Sequence, residues 1–148
     1  MSLIEYKKAR LKYEFLEKFD AGIELTGSEV KSVKSHQGSL DGSHVIVRGG
    51  EAYLIGANIP PYQPANAPKG YDPVRTRRLL LTKKEIREVA DREAKRGLTI
   101  VPISMYSKGS KIKVSLAVAR GKKKFDKRET LKKRDAKRDI ERTLKNNL

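Results

Sequence analysis

"LTIVPISMYSKGSKIKVSLAVA" (Leu98–Ala119) is the stretch that decides the fold. Ile112, Val114, Leu116 and Val118 alternate with Lys111, Lys113 and small residues, the period-two signature of a strand with one face buried and one in water. Leu98–Tyr106 precedes it as a second β run, and Ser107–Ser110, which contains Gly109, is the turn between them. Two strands joined this way make an antiparallel pair, so the fold class is mainly β.

Upstream the pattern continues. Tyr13–Phe19 reads as a strand that resumes over Ala21–Leu25 after a break at Gly22. Thr26 and Glu29 form a Thr-x-x-Glu capping box and open a helix through about Ser35, with Val30 and Val33 toward the core. Ser43–Ala57 is two β runs joined by Gly49-Gly50, a pair suited to the positive φ of a tight hairpin. Asn58–Pro73 holds five of the six prolines and is an irregular loop, long enough to suggest a function. A second capping box, Thr82 with Glu85, opens a helix through Arg96 that Gly97 stops, with Ile86, Val89 and Ala90 as its apolar stripe.

Six or so antiparallel strands in so small a body leave two bare edges unless the sheet closes on itself. The expected fold is therefore a small OB-like antiparallel barrel with two or three short helices, over residues 1–120; an open α+β sheet is the alternative. Residues 121–148 form a basic tail. Ala136, Ile140 and Leu144 recur at helical spacing there, but a stripe one residue wide is too narrow to face a core. Pairs such as Glu129–Lys133 support a helix without overcoming its nucleation. Such a tail is disordered or helical depending on its partner.

Charge points to that partner. The chain carries 34 Lys and Arg against 18 Asp and Glu, a net of +16. Residues 120–148 hold 13 of those cations and 5 of the anions, half the net charge in a fifth of the length. Such a balance suits a polyanion. The membrane alternative fails for want of an apolar run near 20 residues or a basic helix with a broad apolar face. No cysteine is present, so disulfides and thiolate metal sites are excluded. The N-terminus lacks an apolar signal segment, which predicts a cytoplasmic protein.

Catalytic chemistry is not visible. His36 and His44 lack partners at ligand spacing, so no metal is expected. Ser28 and Lys31 match Ser-x-x-Lys by chance, without the companion motifs. Gly121-Lys122 lacks the upstream glycine of a phosphate-binding loop. The expectation is no enzyme, no cofactor and a monomer. Three basic clusters remain: Lys7, Lys8 and Arg10 with Tyr13; Arg75, Arg77 and Arg78; and the tail. Arginine forks suit phosphates and tyrosine can stack on a base. RNA is favoured over DNA because no helix suited to a major groove is evident.

Leu25–Lys34, Asp72–Leu81, Leu98–Lys123 and Phe125–Arg142 together resemble the small protein B family, the SsrA-binding proteins, from about Lys7 to Arg142 in one order. The resemblance implies an OB-like barrel that grips the tRNA-like part of transfer-messenger RNA. It implies delivery to the vacant A site of a stalled ribosome, with the tail a helix in the empty mRNA channel by the small-subunit decoding centre. Glu29 then matches an acidic RNA-contact position, though it also closes a capping box. Arg75, Arg77, Arg78 and Leu81 match the basic block before the second helix, and with Lys7, Lys8, Arg10, Tyr13 and Lys31 they make the expected RNA face. Gly121, Lys122, Lys123, Lys124, Asp126, Lys127, Arg128, Lys132, Lys133, Arg134, Lys137 and Arg138 are the implied ribosome-contacting tail. Leu11 departs from the family's usual histidine, which removes any stacking by that imidazole. A ribosomal-type structural protein that binds rRNA through an OB barrel is the rival reading.

Overall fold

The long C-terminal hairpin expected from the alternating pattern is the spine of the computed structural model, which describes residues 2–122 together with Arg134 and Arg138. Strand β6 (Leu98–Lys108) pairs along its whole length with β7 (Lys111–Gly121), from Leu98↔Arg120 to Lys108↔Lys111. Pro102 sits inside β6 beside a register shift between Pro102 and Ser104. Proline cannot donate to a ladder, and a bulge is where a strand tolerates one.

Five further strands complete the sheet: β1 (Ser2–Glu5), β2 (Tyr13–Ile23), β3 (His44–Arg48), β4 (Glu51–Ile55) and β5 (Arg77–Leu80). Their order is β1-β6-β3-β4-β5-β2-β7, and the pairing of β6 with β7 closes a ring of six. β3 meets β6 at Val45↔Ile100, while β1 continues along the same edge from Ser104 to Tyr106. Every strand pair is antiparallel, so the expected closed barrel is present and the open α+β sheet is not. Gly49 and Gly50, with φ of 59° and 76°, turn β3 into β4 as type I′ geometry demands.

Among residues 2–122, three α-helices decorate the ring: α1 (Ala9–Lys12), α2 (Gly27–Lys34) and α3 (Lys83–Ala94). Both capping boxes form, Thr26 with Glu29 and Thr82 with Glu85, each side chain bonding the other's backbone N–H. Val33 and Val89 are fully buried, and join Val45, Leu54, Leu79, Ile100, Met105, Leu116 and Val118 in one core inside the barrel. Val101, Ala117 and Ala119 form a second cluster with Tyr13, Phe15 and Ile103, on the opposite face of β6 and β7 by strand alternation.

Four local readings change. β2 runs unbroken through Gly22. β1, α1 and β5 are additional to the expected elements: Ser2–Glu5 and Arg77–Leu80 are too short for a period to show, and tertiary pairing makes them strands. β7 extends to Gly121, one residue beyond the 1–120 boundary, and the Lys122 N–H then bonds the Lys12 carbonyl. Finally, α3 ends at Ala94, two residues before the expected Arg96. No described helix is long and apolar enough to cross a membrane.

Candidate nucleic-acid interface

Glu29 decides how the site is built. Its capping-box geometry is as the sequence implies, the Thr26 N–H bonding Oε1 at 2.8 Å, yet the side chain has no exposed surface. Arg77 Nε donates to Oε2 at 2.9 Å, and its Nη2 lies 2.7 Å from the same oxygen. Arg75 donates to both carboxylate oxygens, through Nε and Nη2. The Tyr71 hydroxyl reaches Oε2 at 3.2 Å and donates to the Ile59 carbonyl at 2.6 Å. Arg77 is itself wholly buried, its remaining donors meeting the carbonyls of Ala57, Arg75 and Pro73.

This corrects the RNA-contact role expected for Glu29 and Arg77, while the capping role expected for Glu29 stands. Neither side chain is at the surface to touch RNA; together they form a charged lock between α2, the proline-rich loop and the start of β5. Burial alone would push the Glu29 carboxyl up, but the Arg75 hydrogen bonds, the Thr26 amide and the Arg77 guanidinium outweigh it. The net result is a pKa lowered from 4.5 to about 2.

Arg78 points outward, bonded to Glu51 and to Glu24. Leu81, expected on the RNA face, is half-buried and packs on the barrel core, whereas Leu80 is 45% exposed. The run Arg77-Arg78-Leu79-Leu80-Leu81 has no alternation to say which leucine faces out, so only the register of β5 settles it.

That register exposes a row the sequence did not reveal. Leu80 of β5 lies opposite Gly22 of β2, Gly22 opposite Lys113 of β7, and Lys113 opposite Tyr106 of β6. A Cβ at position 22 would stand 3.1 Å from the Leu80 Cβ, so glycine is what lets β5 sit this close. A groove of about 190 Å³ results, lined by Gly22, Ile23, Leu25, Val30, Leu80 and Ile112, with Lys111 and Lys113 on its rim. Lys108 and Lys111 face each other across the hairpin end, a like-charge pair whose repulsion an anion would relieve. The Tyr106 hydroxyl bonds Asp20 at 3.0 Å beside them. The chemistry on offer is an apolar slab for a base and ammonium groups for its phosphates.

On another side, Lys7, Lys8 and Arg10 are exposed around α1, and the Arg10 guanidinium stands 5.4 Å over the Phe15 ring. Tyr13 opens β2 opposite Gly121 and is half-buried in the second cluster. Lys31 is exposed on α2. Of the tail residues, Gly121 ends β7, Lys122 follows it, and Arg134 borders the same cleft as Lys7, Arg10 and Phe15. Arg138 is exposed. Lys123, Lys124, Asp126, Lys127, Arg128, Lys132, Lys133 and Lys137 lie outside the described residues. Among the described residues no group of three His, Cys, Asp or Glu could hold a metal ion.

Fold and site together define a small basic barrel protein, a ring of six strands with β1 added beside it, and exposed lysines set beside an apolar slab. The chain belongs to the SmpB protein family, whose profile matches residues 3–146. It is 46% identical over 143 residues to the SsrA-binding protein of Gloeothece citriformis, covering 97% of this chain and 92% of that one. The SsrA-binding proteins of Mesoplasma florum and a Sulfurihydrogenibium species are 49% and 50% identical over 139 residues, 94% of this chain and 93% and 91% of theirs. A solved structure described as "tmRNA-SmpB: a journey to the center of the bacterial ribosome" superposes with a TM-score of 0.70 at 37% identity, over 88% of this chain and 95% of that one.

Proposed function

We propose that this protein is a non-catalytic RNA-binding cofactor of trans-translation, working in the cytoplasm. It binds the tRNA-like part of transfer-messenger RNA, carries it to the vacant A site of a stalled ribosome, and lays its basic tail in the empty mRNA channel. One observation carries the reading: the match to SsrA-binding proteins covers barrel and tail alike, through residue 146. The site supports it. Leu80 over Gly22 is a stacking surface, Lys111, Lys113 and Arg78 are the adjacent cations, Lys31 stands beyond Val30 on α2, and Lys7, Lys8, Arg10 and Tyr13 lie on a second side. Glu29, Arg77 and Arg75 hold the loop and β5 in place behind that surface. RNA suits this reading because an unpaired base can lie on the exposed Leu80 beside the lysines, the single-stranded mode in which RNA sequences are read.

Binding to a transcript of the tRNA-like domain is expected to weaken steeply with salt. Six neutralised phosphates give a log–log slope of about −4 to −5, and Lys113→Ala should reduce that slope by about 0.7 to 0.9. A flat salt response in a gel shift removes the electrostatic basis of the proposal. The ribosomal-type alternative separates by stoichiometry in sedimentation: a structural protein appears once per ribosome, a rescue cofactor far below that.

A further inference from the structure

We propose that the cleft between the first turns of α2 and the proline-rich loop seats a single unpaired nucleotide of the bound RNA. The proposal rests on the RNA-binding reading and adds a site to it. Gly27, Ser28, Lys31, Tyr62, Gln63 and Asn66 line a cleft of about 300 Å³. Tyr62 supplies its one aromatic face, 39% exposed on a loop tip where nothing in the core requires a ring. Asn66 Nδ2 bonds Gln63 Oε1 at 2.9 Å, which leaves the Asn66 carbonyl oxygen as an acceptor and the Gln63 amide hydrogens as donors. A mixed set of donor and acceptor beside a stacking ring matches the edge and face of a base. Lys31 is exposed and forms no ion pair among the described residues, so it is available to a phosphate.

The lining also excludes other occupants. It has no carboxylate, so a cation or basic peptide gains nothing there, and apart from the Tyr62 ring it has no apolar side chain for a greasy helix or lipid tail.

The cleft is held ready for its ligand. Ser32 Oγ donates to the Pro60 carbonyl at 2.7 Å, the Ile59 N–H donates to the Pro73 carbonyl at 2.9 Å, and Tyr71 ties Ile59 to the Glu29 lock. Pro60, Pro61 and Pro64 stiffen the segment that carries Tyr62. Little ordering cost then falls on binding. The position is telling as well: Val30 lines the Leu80 groove and its neighbour Lys31 lines this cleft, so one RNA strand crossing α2 can place a base on each side.

The test measures affinities for two probes, the tRNA-like transcript with its loops and its longest paired stem alone. Tyr62→Ala should weaken the loop-bearing transcript roughly 5- to 150-fold, the effect of losing one stacked base, and leave the paired stem within about twofold. Tyr62→Phe keeps the ring and should stay within about threefold of wild type, while Lys31→Ala should flatten the salt slope by about 0.7 to 0.9. Equal binding of the loop-bearing transcript by wild type and Tyr62→Ala overturns the cleft. So does an equal loss on both probes, since a paired stem offers no free base. Failure of the wild-type protein to bind either probe overturns the RNA-binding reading itself, and is distinct from both.

Discussion

Glu29→Ala is expected to lower stability by about 3–5 kcal/mol, the cost of removing one partner from a buried ion pair. The capping box alone would make this a loss of about 1 kcal/mol. What enlarges it is Arg77, which has no exposed surface and would keep its charge inside the protein with no carboxylate to meet. Glu29→Gln separates the two contributions. Glutamine retains the bond to the Thr26 N–H and can accept from arginine, but it supplies no countercharge. A denaturant midpoint for the Gln variant close to wild type would show that capping, not charge, is what Glu29 provides.

Acid gives an independent measure of the same lock. A carboxyl whose folded pKa is depressed stabilises fully above its unfolded value and loses that contribution as pH falls through the folded one. For Glu29 the window runs from 4.5 down to about 2. At about 1.4 kcal/mol per unit, the contribution at neutral pH is on the order of 3 kcal/mol. Stability of the wild type should therefore fall across that window, and the curve for Glu29→Ala should be flatter there. RNA binding by the Ala variant should drop together with the loop it unlocks, which protection of the Ile59 and Tyr71 amides in hydrogen exchange will report.

Removing the tail should spare the fold and abolish the proposed rescue. The described main core ends at Val118 and the second cluster at Ala119, so no described core residue lies beyond them. Because β7 runs to Gly121 and Lys122 bonds Lys12, the cut belongs after Lys122 and not after Arg120. The truncated protein should unfold at nearly the wild-type denaturant concentration and bind the tRNA-like transcript through Lys31, Lys111, Lys113 and the Lys7–Arg10 cluster. Tagging of nascent chains on stalled ribosomes should nonetheless fall on the order of 100-fold or more, the factor that about 2.7 kcal/mol of lost binding gives. Ala at Asp126, Lys127 and Arg128 should reproduce much of that loss. Ile140→Pro tests whether the tail acts as a helix, since proline inside one costs about 3 kcal/mol or more. Full tagging by the truncated protein would reduce the tail to an electrostatic anchor at most.

Much of this was written locally. The alternation of Ile112, Val114, Leu116 and Val118 specifies a half-buried strand, and each Thr-x-x-Glu box starts a helix, because the interactions responsible span two to four residues. The charge of +16 and the crowding of cations after Arg120 are properties of composition alone, and they direct attention to a polyanion before any fold is known. What tertiary structure decided is which members of a local cluster point where. Arg75, Arg77 and Arg78 read alike in sequence, but strand pairing sends Arg77 inward to Glu29, 48 residues away, and Arg78 outward to Glu51. Leu80 and Leu81 trade places for the same reason, and Gly22, read as a break, is the position that lets Leu80 and Lys113 face one another across a continuous strand. Register and burial depend on partners far along the chain, so a site assembled from β2, β5 and β7 has no contiguous signature to read.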